Sequence, residues 1–435
     1  MKKIVLFMLA MIAFGSCSKH DFAEYSYAEQ QKDKFESAFV EEFGTPASDQ
    51  DWGFDNVTLF DYTQASTRGH DVNRNQWQGK YIIPANVTAE EEQAVLDKLA
   101  EGSGDRDSKM IEDWPNFFVY HVHKGTDVYY DHAGQSIGVA SDHMNHLQAV
   151  FPDGTMDHIN DFNSGQQNAN WWTIEGATLM LNSSTSDFAY HNSTDSKYHN
   201  NYVVIDGATI GYPGFYYICF DFLANGDIEQ PSNKNMGVDR NYNYTDWIIR
   251  ISPAVFDMTG AVRIIAEDLG ADQGSDFDYN DVVFDVKLAN DWDASWGSNG
   301  DNRLKAYITL RAAGGTLPLT VAGVEVHSKF GVAANHMHNT NAYGEGINYN
   351  SGVSFVADLG PAEWNLQGSD IAKNLIPIVV TYKNGETATL SCETGKAPEK
   401  ICVKPDFKWQ EEYINIRKKY PLFSAWVLDK TVNWQ

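Results

Sequence analysis

One stretch restricts the fold more than any other: Glu267 to Val286, reading EDLGADQGSDFDYNDVVFDV. Residues Val262 to Ala266 before it and Val282 to Val286 at its end are mostly β-branched and apolar, as strands are. Between them lies a loop rich in Gly, Asp and Asn. Asp276, Asp278 and Asn280 stand at alternate positions, Asp281 follows, and Glu267 and Asp268 close the preceding strand. Alternate oxygen-bearing residues in a tight loop turn several carboxylate and amide oxygens towards one point. Unneutralised, those carboxylates repel each other. A hard divalent cation removes the repulsion, and Ca²⁺ takes oxygen ligands in flexible geometry. The expected unit is a calcium-stapled strand–loop–strand, with Asp276, Asp278, Asn280, Asp281, Asp268 and Glu267 as candidate ligands.

The competing reading is a solvated turn whose Asx side chains bond their own backbone, which accounts for most single DxD sequences. Four ligand-capable residues in the six positions from Asp276, with two acids at the strand end, shift the balance to metal. The loop is not an EF-hand: it lacks the glycine at the sixth position and the terminal bidentate Glu, and its flanks are strands. A fainter copy, VDRNYNYTDWIIRI, begins at Val238. It offers Asp239, Asn241, Asn243 and Asp246 as a second, weaker metal site. It carries less charge, and Thr245 stands where the first turn has Asn280.

The formal net charge is −27. That argues against nucleic-acid binding, which needs basic patches, and suits a self-repelling surface or sites that collect cations. The 12 Trp, 22 Tyr and 23 Phe supply enough apolar material for two or three cored domains.

The chain opens on a targeting pattern. Lys2 and Lys3 precede an apolar run, Ile4 to Phe14, that is too short to span a bilayer. Gly15-Ser16-Cys17 ends it in the manner of a bacterial lipobox, which makes Cys17 the expected lipidation site and residues 1–16 the signal peptide. An oxidising compartment then permits a hairpin disulfide between Cys392 and Cys402 across ETGKAPEKI. Cys219, in the run FYYICFDF, reads as a buried free thiol.

Residues 17–60 form an anchor and a short helical segment. Phe35, Ala38, Phe39 and Phe43 make a helix-like stripe over Tyr27 to Phe43, and Gly44 ends it. This helix and Trp52 are expected to pack on the domain that follows. Thr88 to Ala100 is a second helix. Short β-rich runs separated by Gly, Asn and Asp turns fill two further segments, 61–255 and 256–435. The fold class is mainly β: two antiparallel β-sandwich or jelly-roll-like modules behind a short helical N-terminal segment.

Other chemistry finds little support. His121/His123 and His336/His338 have HxH spacing and His143/His146 HxxH spacing, yet HExxH is absent, so structural histidines are expected. There is no nucleophile elbow, P-loop or dinucleotide fingerprint, and a glycan hydrolase has no local support. Trp114, Trp171, Trp172, Trp292 and Trp296 are candidates for stacking on sugars, though core packing is the commoner use of such rings.

The run EDLG…SDFDYNDVVFDV resembles the LruC-type domain of bacterial surface lipoproteins. Further matching stretches are AFVEEFG…DQDWGF, SDHMNHL at Ser141, AAGGTLPLTVAGVEVHSKFGV at Ala312 and YPLFSAW at Tyr420. The resemblance implies a β-rich outer-membrane lipoprotein with calcium sites and no assigned reaction, its acidic turn falling on Asp276, Asp278, Asn280 and Asp281. The expected protein is held on the outer membrane by lipid, with the cell surface favoured over the periplasmic face. It is expected to be non-enzymatic, adhesive or ligand-binding, with a glycan or a surface protein as partner. The main alternative is a glycan-binding component of a polysaccharide-uptake system.

Overall fold

The structure is a computed structural model. It describes residues 26–62, 80–102, 116–125, 202–220, 243–245, 247–269, 275–293, 301–363 and 365–435, with the short strands between 128 and 190. Cys17, residues 63–79, and His143 and His146 lie outside the described residues. The chain is mainly β, with several antiparallel sheets and few helices. It divides into two compact units, Met1–Ser66 with Met258–Gln435, and Thr67–Asp257.

The first unit holds a sheet in the order Val353–Pro361, Asp301–Ala312, Val282–Asp293, Val262–Ala266, Lys400–Val403. A sixth strand, Leu59–Asp61, pairs in parallel with Val282–Asp293. It starts where Val262–Ala266 stops: Val262 faces Val286 and Leu59 faces Leu288. A four-stranded sheet runs Val324–Glu325, Leu319–Val321, Ile378–Thr381, Thr387–Thr389. Ile264, Phe284 and Ile308 of the first sheet and Leu319, Val321 and Val380 of the second belong to one apolar core, a sandwich-like arrangement.

The strand expected to end at Val286 continues to Asp293. Charged residues along it are paired inside the fold. Arg263 sits opposite Asp285 in register and donates to it from Nε at 2.7 Å. Arg311 donates to the same carboxylate at 2.8 Å. Lys287 lies 4.5 Å over the Phe60 ring. Removing one member of a buried ion pair leaves an uncompensated charge, so these residues are needed together.

The N-terminal helix, Tyr27–Phe43, starts with a capping box between Ser26 and Glu29, which satisfies two otherwise orphaned donors. Phe35, Phe39 and Phe43 repeat at i, i+4 and are buried. The helix packs within the first unit, on segments far from it in sequence. Its rings meet the acidic turn and the tail: Phe277 lies 5.5, 5.9 and 5.2 Å from Phe35, Phe39 and Phe43, and Phe423 lies 5.1 Å from Phe43. Trp52 packs edge-on against Phe39 and Trp426. Its neighbour Gly53 backs onto the sheet so closely that a Cβ there would stand 2.2 Å from the Cys402 carbonyl oxygen.

The expected Cys392–Cys402 disulfide is not present: both are free, buried thiols, as is Cys219. The Glu399 amide donates to the Ser391 carbonyl across the turn, and Cys402 lies further along, opposite Ile264. The two cysteines are therefore not cross-strand partners. Burial pushes the Cys392 thiol up to about 11, so it stays protonated and packs as a small apolar group.

In the second unit, the main sheet runs Tyr202–Asp206, Tyr216–Phe220, Trp247–Pro253, Asn116–Lys124, Trp171–Ile174. Helix Ala89–Ala100 is capped by Thr88. Glu91, which reads as an ordinary first-turn acid, is buried. It accepts from Arg250 at 2.8 and 2.9 Å and from the Tyr217 hydroxyl at 2.8 Å.

Phe39 is fully buried against three phenylalanines and Trp52. Phe39→Ala is expected to destabilise the first unit by about 3–5 kcal/mol, read as a lowered midpoint in denaturant unfolding. A midpoint unchanged from wild type would show that the helix does not clamp the turn.

Candidate metal centre

The acidic turn owes its geometry to a backbone alternation. Phe277 has φ +56° and Tyr279 φ +55°, a left-handed conformation that bulky residues avoid. Each such residue costs roughly 1–3 kcal/mol and persists only where its surroundings hold it. Both rings are buried: Phe277 among the helix phenylalanines, and Tyr279 with its hydroxyl donating to the Pro398 carbonyl at 2.9 Å. The two rings belong to the apolar core, and the alternate positions Asp276 and Asp278 bring their carboxylates together.

There they meet the end of the preceding strand. Glu267, Asp276 and Asp278 bring carboxylate oxygens within 4.8 Å of one another. Glu267 accepts from the Tyr279 amide at 2.7 Å and the Ser275 hydroxyl at 2.6 Å. Asp278 accepts from the amides of Asn280 at 3.1 Å and Tyr413 at 2.9 Å. Asp281 accepts from the Asp268 amide at 2.6 Å. The Asx-type bond of the competing reading is therefore present at Asp278, but it does not exhaust the site. The Asn280 side-chain oxygen is buried with no hydrogen-bond partner, in a residue that is wholly inaccessible.

Charge is the larger problem. Two unit charges at 4.8 Å repel by about 3 kcal/mol at an effective dielectric of about 20, more than one hydrogen bond returns. Burial, then the Asp276 charge, holds Glu267 well above the usual carboxylate range. Burial, then Glu267, does the same to Asp278. Burial, then Asp268, does so to Asp281. Burial also raises Asp276. Such a group either keeps protons or gains a cation. The donor set is all oxygen, which suits a hard cation. Ligands on one Ca²⁺ lie at most about 5 Å apart and those on Mg²⁺ at most about 4 Å, so a set spread over up to 4.8 Å fits the larger ion.

Two parts of the surroundings come from segments remote in sequence. Gly314 and Gly315 donate to the carbonyls of Asn280 and Asp281 at 3.0 and 3.2 Å. A Cβ on Gly314 would stand 2.0 Å from the Asn280 side-chain oxygen, and one on Gly315 2.9 Å from an Asp268 carboxylate oxygen. The glycine pair is needed for this close approach. His327, fully buried, holds Gly315 from behind through its carbonyl at 3.0 Å. The other part is Glu412, brought from the tail. Burial raises it to about 7; the Thr340 hydroxyl opposes the rise, and Asp276 and Asp268 add to it.

Of the fainter turn, Asp239, Asn241 and Asp246 lie outside the described residues. The Asn243 side-chain oxygen accepts from the Thr245 amide at 3.1 Å, an Asx bond. Tyr244 has φ +56° where the first turn has Tyr279, so the two copies share a backbone device. His121, His123, His336 and His338 have structural partners. His121 accepts from the Trp247 indole at 3.2 Å, and burial lowers it to about 4. His123 pairs with Glu92 at 2.6 Å. His336 stacks on Tyr343, and His338 lies against Phe330. Trp114 and Trp296 lie outside the described residues; Trp171, Trp172 and Trp292 fall on strands. No family profile, curated protein or solved structure matches the chain.

The raised carboxyls give the calcium-free protein a signed pH dependence. Groups whose folded value lies above the unfolded one bind more protons when folded, so their contribution is full below about pH 4 and falls as pH rises. For Glu412 the loss runs to about pH 7. Calorimetry in chelator is expected to show the first unit melting lower at about pH 8 than at about pH 5. Excess calcium is expected to remove or invert that slope. Identical slopes with and without calcium would show that the ion does not take up these charges.

Proposed function

We propose that the chain is a lipid-anchored cell-envelope protein, held at the outer membrane through Cys17 and displayed on the surface, with a non-enzymatic adhesive or ligand-binding role. The resemblance to LruC-type surface lipoproteins in the acidic turn, the glycine pair and the tail supports this reading. Among the described residues no helix is long and apolar enough to cross a membrane, and the lipid is the proposed attachment. The observation that carries the reading is the convergence of Glu267, Asp276 and Asp278 within 4.8 Å beside an orphaned Asn280 oxygen. In this proposal Ca²⁺ has a structural role: it joins two strands and sets the loops beside them, while Asp268 and Asp281 shape its surroundings. The double variant Asp278→Ala with Asp281→Ala is expected to melt several degrees lower than wild type in calcium, and wild type to lose a similar amount in chelator. No thermal shift in either comparison would remove the metal.

A second reading, glycan binding, has one observation in its favour. Tyr343 and Tyr413 are 60% and 66% exposed, both bond to Met337, and His336 stacks on Tyr343 at 4.8 Å. Exposed rings beside a polar centre are a surface that stacks on a sugar face. On a glycan array, wild type is expected to retain specific glycans that Tyr413→Ala with Tyr343→Ala loses. Identical profiles would return the protein to the adhesive reading.

A further inference from the structure

We infer that Glu412 is a cation ligand beside the Asn280 oxygen, so that calcium fastens the C-terminal tail across the acidic turn. The inference rests on the calcium reading above and extends it to a residue in no metal-binding motif. Glu412 Oε2 is a buried carboxylate oxygen with no hydrogen-bond partner. So is the side-chain amide oxygen of Asn280, whose residue is 0% exposed. The two lie side by side. A Cβ built on Gly314 would lie 2.0 Å from the Asn280 oxygen and 2.9 Å from the Glu412 oxygen, which puts them within the separation of about 5 Å that two ligands on one Ca²⁺ span. Neither oxygen has a donor within hydrogen-bond distance, and the Thr340 hydroxyl only partly eases the Glu412 charge, so a cation beside the pair would satisfy both.

The tail is already laid over the turn by weaker contacts. Asn280 donates to the Gln410 carbonyl at 3.3 Å. The Tyr413 amide donates to Asp278 at 2.9 Å, and the Ile416 amide to the Phe277 carbonyl at 2.9 Å. The Glu412 amide donates to the Thr340 carbonyl at 2.9 Å, which aims its side chain from a fixed backbone. Without the ion, Glu412 adds a negative charge to Asp276, Asp278 and Glu267, and the tail is repelled where it should close. With the ion, the same charge becomes a strap. The segment that follows, Arg417-Lys418-Lys419, has exposed lysines and reports the strap's state as a tryptic site.

The test compares Glu412→Gln with Glu411→Gln in the full protein. Glu411 is exposed and bonds Asn341, so it controls for surface charge. By calorimetric titration with calcium, Glu412→Gln is expected to bind about tenfold or more weakly than wild type, since ligand charge tunes such affinities over decades. Glu411→Gln is expected to bind as wild type does. The sign of the stability change separates a ligand from a packing residue: Glu412→Gln should melt higher than wild type in chelator and lower than wild type in calcium. Calcium should slow tryptic cleavage at 417–419 in wild type and not in Glu412→Gln. If Glu412→Gln keeps wild-type affinity while Asp278→Asn loses binding, the strap is overturned and the calcium turn stands. If wild type itself takes up no calcium, both fall together.

Discussion

Repulsion among buried carboxylates is the constraint on which the first unit turns. Glu267, Asp276 and Asp278 converge within 4.8 Å, and Asp268, Asp281 and Glu412 add to the same field. Water cannot relieve it, because Asp278 and Glu267 are nearly inaccessible. The surrounding fold holds these groups in place. Left-handed Phe277 and Tyr279 aim the acids, the helix phenylalanines hold Phe277, and a glycine pair admits the neighbouring loop. A cation at the centre would turn each of these strained features into support for the others.

The order of assembly in the chain is unlike the order in space. The helix Tyr27–Phe43 precedes the second unit in sequence, yet its apolar stripe covers a turn that comes after that unit. The tail returns from the far end to close the same turn through Tyr413 and Ile416. Three remote segments therefore meet at one bend. Contacts this distant in sequence carry a closure entropy before they reward it, and a metal bound at the turn would couple them at a single point.

Much of the local structure was legible in the residues. The phenylalanine stripe, Gly44 and the Thr88 cap marked both helices, and the strand Val262–Ala266 lies where its β-branched run placed it. The alternation of acids along the turn was visible too, though not the left-handed rings between them that aim it. The misses share a cause: they depend on partners remote in sequence. The strand was placed only to Val286 because nothing local shows that Arg263, Arg311 and Phe60 accommodate the charges of Asp285 and Lys287. The phenylalanine stripe says that a face of the helix is buried, not that its cover is the acidic turn. The cysteine pair suggested a bridge by spacing, whereas register sets Cys402 against Ile264. Glu412 carried no signal, since an acid in so acidic a chain is distinguished only by what it faces.

The most direct measurement is a high-resolution crystal structure of the protein grown in calcium. If cation neutralisation holds the turn, density for one ion will stand about 2.3–2.6 Å from oxygens of Asp276 and Asp278, with the turn unchanged around it. Solvent alone at that point, with the carboxylates splayed apart, would contradict it.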